Sequence, residues 1–136
     1  DWSSDVCSSD LAIVLVMDDE PEEPVMPIVE ALGKGKAMVP RLWRYEVGNT
    51  LAQALRRGRL TPLAIAQSAE ALAELRVSHT DAEPGITGLM AMAEAHGVNA
   101  YDASYLAIAM ALDIPLATLD RPLAQAAREA GIALVL

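Results

Sequence analysis

Three acidic residues lie where the surrounding sequence is apolar or where a strand is expected to end. Asp102 interrupts the run Tyr-Asp-Ala-Ser-Tyr-Leu-Ala-Ile-Ala-Met-Ala-Leu, which has the composition of a buried helix. A carboxylate in that setting loses hydration unless it is paired, hydrogen-bonded or bound to a cation. Asp120 follows the apolar segment Pro-Leu-Ala-Thr-Leu, and Glu46 lies on a polar helical stripe. Asn49, one turn after Glu46, could orient a carboxylate or a water.

Each acid also has an ordinary structural explanation. Asp102 could stabilise the start of its helix, where the helix dipole favours an anion. Asp120 precedes Arg-Pro, which is typical of a helix cap, and Glu46 could be a solvated surface residue. Taken singly, the three signals leave both interpretations open.

Taken together, the three acids suggest a metal site. Carboxylates that converge repel one another unless a cation neutralises them, and hard oxygen ligands suit Mg²⁺ or Mn²⁺. Such an ion can generate a hydroxide near neutral pH and hold a phosphodiester for in-line attack. The pattern therefore predicts a carboxylate-bound divalent ion and phosphodiester hydrolysis.

Half of the ten basic residues lie close together in the sequence, around Glu46. These residues are Arg41, Arg44, Arg56, Arg57 and Arg59. A solvated helix face is one explanation. The other is a local rim that holds RNA phosphates and positions a nucleic acid without reading its sequence. His79 and His96 are isolated from the acids in the sequence, and we expect neither to be a metal ligand.

The overall composition excludes several classes of protein. The chain has 136 residues, enough for one domain, and no run of about 18 apolar residues that would predict a membrane span. One cysteine and two histidines are too few for an internal disulfide or for a thiolate or histidine-rich metal centre. The net charge of -9 argues against a broad phosphate-binding surface. Any metal would therefore be held by carboxylates.

The hydrophobic content predicts a real core. Hydrophobic residues make up 53% of the chain and Phe is absent, so Ala, Leu, Val, Ile and Met must fill the interior. Met90, Met92 and Met110 fall in helical patterns and are predicted to lie in that core.

The elements that must position these residues alternate between helices and short apolar segments. Helices are predicted at 25–32, 42–57, 61–76, 86–96, 101–112 and 120–131 from helical spacing, apolar runs and capping residues, and 101–112 is apolar on nearly every face, as expected of a helix buried on several sides. Segments typical of strands are 37–40, 77–80, 114–118 and 132–136. Residues 11–17 are apolar throughout, which fits either a buried strand or the start of a helix. Alternating strands and helices predict an α/β domain with a mainly parallel sheet.

Residues 1–11 differ in composition from the rest of the chain. They hold four serines and the single cysteine, Cys7, and lack the basic start and apolar run of a secretory signal. They resemble the translation of a common DNA-sequencing adapter, and a natural polar tail is the alternative. We therefore predict a non-native segment at 1–11 and one domain over 12–136. Residues 12–136 contain no cysteine, which is consistent with a reducing cytosol.

Three blocks of the sequence combine the candidate acids with characteristic neighbours. They are Pro-Arg-Leu-Trp-Arg-Tyr-Glu-Val-Gly-Asn-Thr-Leu at 40–51, Asn-Ala-Tyr-Asp-Ala-Ser-Tyr-Leu-Ala-Ile-Ala at 99–109 and Ile-Pro-Leu-Ala-Thr-Leu-Asp-Arg-Pro-Leu at 114–123. In order and spacing the blocks resemble PIN-domain ribonucleases, and most closely the VapC toxins of VapBC toxin–antitoxin modules. The resemblance extends over roughly 12–136.

This resemblance implies a three-layer α/β/α sandwich that cleaves RNA with a quartet of acids around Mg²⁺ or Mn²⁺. Glu46 matches the second acid, Asp102 the third and Asp120 the fourth. Asn49 and Thr118 match polar positions that support the site. The resemblance further implies a cytoplasmic homodimer and a cognate antitoxin whose tail fills the RNA groove. Apolar surface for those contacts fits the positive mean hydropathy of +0.26.

The first acid of the quartet is where this chain departs from the family. In the family that acid ends the opening strand, and counting back along this sequence places it at Ser8 or Ser9. Asp10 lies one or two residues out of register, and the resemblance makes 12–17 the start of the first helix. We therefore predict that 1–11 has replaced the native first strand, so that this chain binds metal and cleaves RNA poorly.

Two other functions remain open. A PIN fold that only docks a partner would show no metal-dependent cleavage, and the missing acid favours it for this polypeptide. An aspartate-based phosphotransfer domain on a doubly wound sheet would need a nucleophilic aspartate after its first strand and a lysine near its last strand. The two lysines, Lys34 and Lys36, lie in the N-terminal half, which argues against phosphotransfer.

Overall fold

The computed structural model describes residues 5–8, 36–74, 77–118 and 120–134, which form a parallel sheet with surrounding helices. Its strands are β1 (Asp5–Ser8), β2 (Lys36–Val39), β3 (Val77–His79) and β4 (Leu116–Ala117). They lie in the order β3-β2-β1-β4, and each adjacent pair is parallel. The structure confirms the strands predicted at 37–40, 77–80 and 114–118, with small shifts at their ends.

The helices also follow the sequence pattern. Those described are α1 (Leu42–Arg56), α2 (Pro62–Glu74), α3 (Ile86–His96), α4 (Ala100–Leu112) and α5 (Arg121–Glu129). The Ala64 N–H donates to Thr61 Oγ1 at 3.1 Å, as expected for a helix that begins at Pro62. Gly97, at φ 65°, ends α3 because an L side chain rarely adopts that conformation. The segments predicted at 11–17 and 25–32 lie outside the described residues.

Strand β1 lies inside the sheet, between β2 and β4. Its register pairs Val6 with Ala37 on one side and Ser8 with Ala117 on the other. The strand belongs to the adapter-like segment 1–11, and it occupies the position that the sequence analysis assigned to a replaced first strand. Ser8 therefore ends a central strand. That segment 1–11 is non-native stays a prediction.

The core forms where helix α4 packs on the sheet, in contact with β1, β2 and β4. Its side chains Tyr105, Leu106 and Ile108 are at most 1% exposed, and they cluster with Leu116 of β4 and Leu123 of α5. Burial of a large apolar side chain stabilises a fold by about 1.5–3 kcal/mol. The prediction that this helix is buried on several sides is confirmed.

The prediction that the three methionines lie in the core is wrong for two of them. Met92 packs against the core, but Met90 is 64% and Met110 46% exposed. The final strand predicted at 132–136 lies partly outside the described residues, and in its described part Leu134 forms a parallel bridge with Leu116.

The parallel strands and intervening helices confirm the predicted α/β architecture of the three-layer α/β/α type. Among the helices of the described ranges, none combines the length and the apolar character needed to cross a membrane.

Because the strands are parallel, their carboxyl ends lie at one edge of the sheet, here called the carboxyl edge. Helix α1 follows β2 directly, and α5 follows β4 after a short loop, so both begin at this edge. Helix α4 leads into β4 through a turn at Asp113 (φ 53°), where the Ile114 N–H donates to the Ala109 carbonyl. It therefore runs antiparallel to β4, and its start points toward the same edge. Ligand sites in open parallel sheets lie at this edge.

Candidate functional site

Each of the three predicted acids lies near the start of a helix that begins at the carboxyl edge. Glu46 is in the second turn of α1, Asp102 is in the first turn of α4, and Asp120 is the N-cap of α5. The N-terminus of a helix carries a partial positive charge, which stabilises nearby carboxylates. The fold thus brings to one edge three acids that are far apart in the sequence.

A hydrogen bond joins Glu46 to helix α4. The Tyr105 hydroxyl donates to Glu46 Oε1 at 2.7 Å. Because Tyr105 is only 1% exposed, its phenol needs a partner inside the protein, and a carboxylate is a strong one. Glu46 is exposed, but this bond ties its carboxylate to the helix that carries Asp102. Glu46 is therefore more than a solvated surface residue.

The start of helix α4 is capped by a residue other than the predicted acid. The Asp102 N–H donates to Asn99 Oδ1 at 2.8 Å, so Asn99 is the N-cap. The capping role that the sequence left open for Asp102 is thus taken by its neighbour. Asp102 itself is half-buried in the first turn.

Asp120 does cap its helix, and Thr118 holds it in place. Asp120 Oδ1 accepts a hydrogen bond from the Leu123 N–H at 3.2 Å, and the Asp120 N–H donates to Thr118 Oγ1 at 3.0 Å. Thr118 is 1% exposed, so this loop is anchored in the interior. A carboxylate has two oxygens and about four lone-pair sites, so capping leaves acceptor capacity for a ligand. Capping and ligand binding are compatible at Asp120.

Helix α1 divides the arginines into two groups, all of them exposed. Arg41 and Arg44 lie at its start, by the carboxyl edge, whereas Arg56 and Arg57 lie at its end. At 1.5 Å per residue, Arg56 is about 15 Å along the helix axis from Glu46. A phosphate-binding rim beside Glu46 is therefore limited to Arg41 and Arg44.

These two arginines have different partners. Arg41 forms an ion pair with Asp81 at 3.8 Å, and its backbone N–H donates to Glu83 Oε2 at 3.1 Å. The Arg44 guanidinium lies 5.0 Å from the Tyr45 ring centroid and donates to the Tyr45 hydroxyl at 3.0 Å. Exposed pairs of this kind stabilise a protein by at most about 1 kcal/mol. Both guanidinium groups can therefore turn toward a phosphate at little cost.

The donor atoms at the carboxyl edge fit a hard divalent cation in chemical type. Mg²⁺ prefers carboxylate oxygens and is usually held by one or two of them together with waters and substrate phosphates. Within residues 5–8, 36–74, 77–118 and 120–134, however, no three His, Cys, Asp or Glu side chains form a group that could hold an ion. In the part of the chain that the structure describes, the three acids thus share an edge of the sheet without forming a closed cage.

Two residues that form hydrogen bonds at this edge were not identified from the sequence. Tyr105 lies one turn after Asp102 in an apolar helix, and a phenol predicted to be buried signals a hydrogen-bond partner elsewhere. Asn99, three residues before Asp102, is a typical N-cap. Asn49, which the sequence analysis did select, is exposed on α1, one turn after Glu46.

A cavity of about 470 Å³ lies at the opposite edge, between the ends of α4 and α5. Its lining includes Met110, Asp113, Pro115 and Gly131, and none of the predicted site residues. The cavity is therefore separate from the candidate site.

Comparison with known proteins agrees with the fold and the order of these elements. A profile of the PIN domain family matches residues 11–129, a span that includes Glu46, Asp102 and Asp120. The chain is also similar to a solved structure, the crystal structure of PAE2754 from Pyrobaculum aerophilum, with a TM-score of 0.66 and 21% sequence identity. That match covers 90% of this chain and 85% of the other. No curated protein is significantly similar to the chain.

Proposed function

The chain belongs to the PIN domain family, and from this premise we propose that it is a metal-dependent endoribonuclease of the VapC toxin type. PIN domains are generally nucleases, and the nucleases of this family generally use divalent metals. The proposed substrate is RNA, hydrolysed at its phosphodiester bonds, and the proposed metal is Mg²⁺ or Mn²⁺.

One observation carries the proposal: three carboxylates lie near the starts of three different helices at the carboxyl edge. Glu46, Asp102 and Asp120 lie there although the chain as a whole repels phosphate, with a net charge of -9. Carboxylates that share one edge of a sheet repel one another, and a divalent cation bound between them would relieve that repulsion.

In the proposed mechanism the chain's own residues bind the cation and orient the RNA. Glu46, Asp102 and Asp120 would hold the cation, with Tyr105 fixing the direction of the Glu46 carboxylate. When bound, a divalent cation supplies Lewis-acid polarisation of a phosphoryl oxygen and a hydroxide nucleophile at neutral pH. Arg44, at the start of α1, would hold a flanking phosphate.

The test is cleavage of a fluorophore–quencher RNA with Mg²⁺ and with chelator. We would compare the parent chain, Ser8→Asp, and Ser8→Asp combined with Asp102→Asn. Asp113→Asn in the same background is a matched control, because it changes an exposed acid at the other end of α4. Asparagine tolerates the left-handed conformation of that position, so the fold should be preserved.

We expect Mg²⁺-dependent cleavage that is strongest with Ser8→Asp, is lost with Asp102→Asn and is unchanged with Asp113→Asn. Removing a group that acts in the transition state commonly costs two or more orders of magnitude in rate, so the loss should be about 100-fold or greater. Cleavage that is equal with and without chelator, or unaffected by Asp102→Asn, would disprove the metal mechanism.

A second candidate is a PIN-fold module that binds a partner without cleaving RNA. The observation that favours it is the end of β1 at Ser8, because the resemblance expects an acid at Ser8 or Ser9 and the sequence has serine at both positions. This candidate predicts no metal-dependent cleavage by the parent chain and none by Ser8→Asp.

The proposed partners follow from the VapC resemblance. A homodimer and an antitoxin peptide would cover apolar side chains that the monomer exposes, such as Ile86, Met90 and Leu63. Both partners would meet the chain in the cytoplasm. Sedimentation equilibrium of the purified chain tests the dimer. A monomer mass that does not change with protein concentration would contradict it.

A further inference from the structure

The cavity of about 470 Å³ lies at the edge of the sheet opposite the candidate site. Two helices end at its wall, because Met110 is in the last turn of α4, Ala130 ends α5, and both residues line the cavity. Clefts that hold small molecules have volumes of roughly 300–1,000 Å³. The cavity therefore has the size of a small-molecule site.

Most of the cavity lining is apolar and firmly held. Ile114 and Ile132 line the cavity and also pack against the hydrophobic core. Met110 is 46% exposed and Asp113 is exposed, so solvent has access to the lining. An apolar body that enters from solvent is thus removed from water against a fixed surface, which favours binding.

One carboxylate stands at the wall of this apolar cavity, that of Asp113. Asp113 ends α4 at φ 53°, in the left-handed conformation that glycine supplies at Gly97 and Gly131. L side chains rarely adopt this conformation, although aspartate tolerates it better than most. In the part of the chain that the structure describes, the Asp113 carboxylate has no hydrogen-bond or ion-pair partner. It is therefore available to a ligand.

The electrostatics of the cavity favour a cation. The C-terminus of a helix carries a partial negative charge, and both α4 and α5 end here. Asp113 adds a full negative charge at a helix end where the dipole disfavours one, within a chain of net charge -9. Arg128, in the last turn of α5, is not part of the lining. A cation bound in the cavity would relieve the repulsion between these negative groups.

We propose that this cavity binds a small organic cation, an ammonium or guanidinium group carried on an apolar body. The cationic group lies against Asp113 and the two helix ends, and the apolar body covers Ile114 and Ile132. The site is independent of the proposed nuclease function, because Asp113 is about 16 Å along α4 from Asp102. Asp113→Asn should therefore change the binding of the cation without changing RNA cleavage.

The test follows the methionine methyl signals by NMR in a chain whose methionine methyl groups are isotope-labelled. Met110 lines the cavity, and Met90, which is exposed on α3, reports non-specific binding. The probe is phenethylamine, which carries an ammonium group on an apolar ring. Phenethyl alcohol is its neutral analogue and hydrocinnamate its anionic analogue, so the three probes differ mainly in charge.

Three variants separate the carboxylate from the cavity itself. Asp113→Asn removes the charge and tolerates the left-handed conformation. Ala133→Leu adds bulk at an exposed lining position. Glu94→Gln is the matched control, because it removes one negative charge from an exposed position on α3 outside the lining. Circular dichroism of each variant verifies that the fold is intact.

We expect phenethylamine to shift the Met110 signal saturably and the Met90 signal little. The alcohol and hydrocinnamate should bind more weakly, Asp113→Asn should weaken amine binding about 3- to 10-fold, and Glu94→Gln should bind like the parent chain. Ala133→Leu should weaken the binding of the amine and of the alcohol. If Ala133→Leu does not fold, the comparison of Asp113→Asn with Glu94→Gln decides.

Three results would overturn the proposal: equal affinity for all three probes, equal shifts at Met90 and Met110, or parent-like amine binding by Asp113→Asn. None of these results depends on Mg²⁺ or RNA. The failure of the cation site and the failure of the nuclease proposal are therefore distinguishable.

Discussion

Replacing Tyr105 by phenylalanine tests the contact that joins helices α1 and α4 at the candidate site. The substitution removes one hydroxyl and leaves the buried ring, so it creates almost no cavity. The lost bond of 2.7 Å is made to a carboxylate, and bonds to charged groups stabilise a protein by about 1.5–3 kcal/mol. Because Glu46 is exposed, water can replace the phenol at its carboxylate, so we expect the lower part of that range.

The expected result is a loss of about 1.5 kcal/mol in the free energy of unfolding, measured by urea denaturation. Tyr101→Phe is the matched control, because it makes the same chemical change on the same helix at an exposed ring. Its effect should stay within about 0.5 kcal/mol. A double-mutant cycle of Tyr105→Phe with Glu46→Ala then isolates the contact, and we expect a coupling energy of about 1 kcal/mol.

Additive effects of the two substitutions would refute the reasoning. Independent sites add within about 0.3–0.5 kcal/mol, so a coupling below that limit means that Tyr105 and Glu46 do not interact in solution. In that case the phenol would not orient the Glu46 carboxylate.

Three further predictions concern the other positions at this edge. Asp120→Asn should keep the α5 cap and the free energy of unfolding but abolish cleavage. Asp120→Ala should abolish cleavage and also lower the stability by about 1 kcal/mol in thermal unfolding, and equal stability of the two variants would contradict the capping role. Asn99→Ala should destabilise the chain by about 1 kcal/mol and Asn99→Ser much less, and a larger loss with serine than with alanine would argue against capping of α4. Ser8→Asp should raise the affinity for Mn²⁺ in a calorimetric titration at least about 10-fold, because it adds a hard anionic ligand at the end of β1; unchanged affinity would show that this strand end is not part of the site.

The sequence was sufficient to predict most of the described elements. Helices α1 and α3 were visible from helical spacing and α4 from a long run that is apolar on nearly every face. The glycines after α3 and α5 marked the ends of these helices because glycine readily adopts a positive φ. Predictions of which single residues are buried were less reliable. Met90 and Met110 looked like core residues because periodicity identifies a helix but not which of its faces finds a neighbour.

The sequence also selected the three acids, but not the contacts that hold them. The Tyr105–Glu46 bond spans 59 residues of chain, and no local pattern encodes such a pairing. Only the packing of α4 on the sheet decided that these two side chains meet. In the same way, the hydrogen bond from the Asp102 N–H shows that Asn99 caps α4, a role that was not predicted from the sequence.

The chemical types available to this protein were thus determined by its sequence: carboxylates, arginines and tyrosines, without thiolate pairs or a histidine cluster. Their arrangement was decided by the tertiary structure. Parallel strands carry the helix starts to one edge, and the length of α1 separates Arg56 from Glu46 although both lie on one helix. The physical reason is that side-chain chemistry is a property of each residue, whereas distance and direction depend on how whole elements pack.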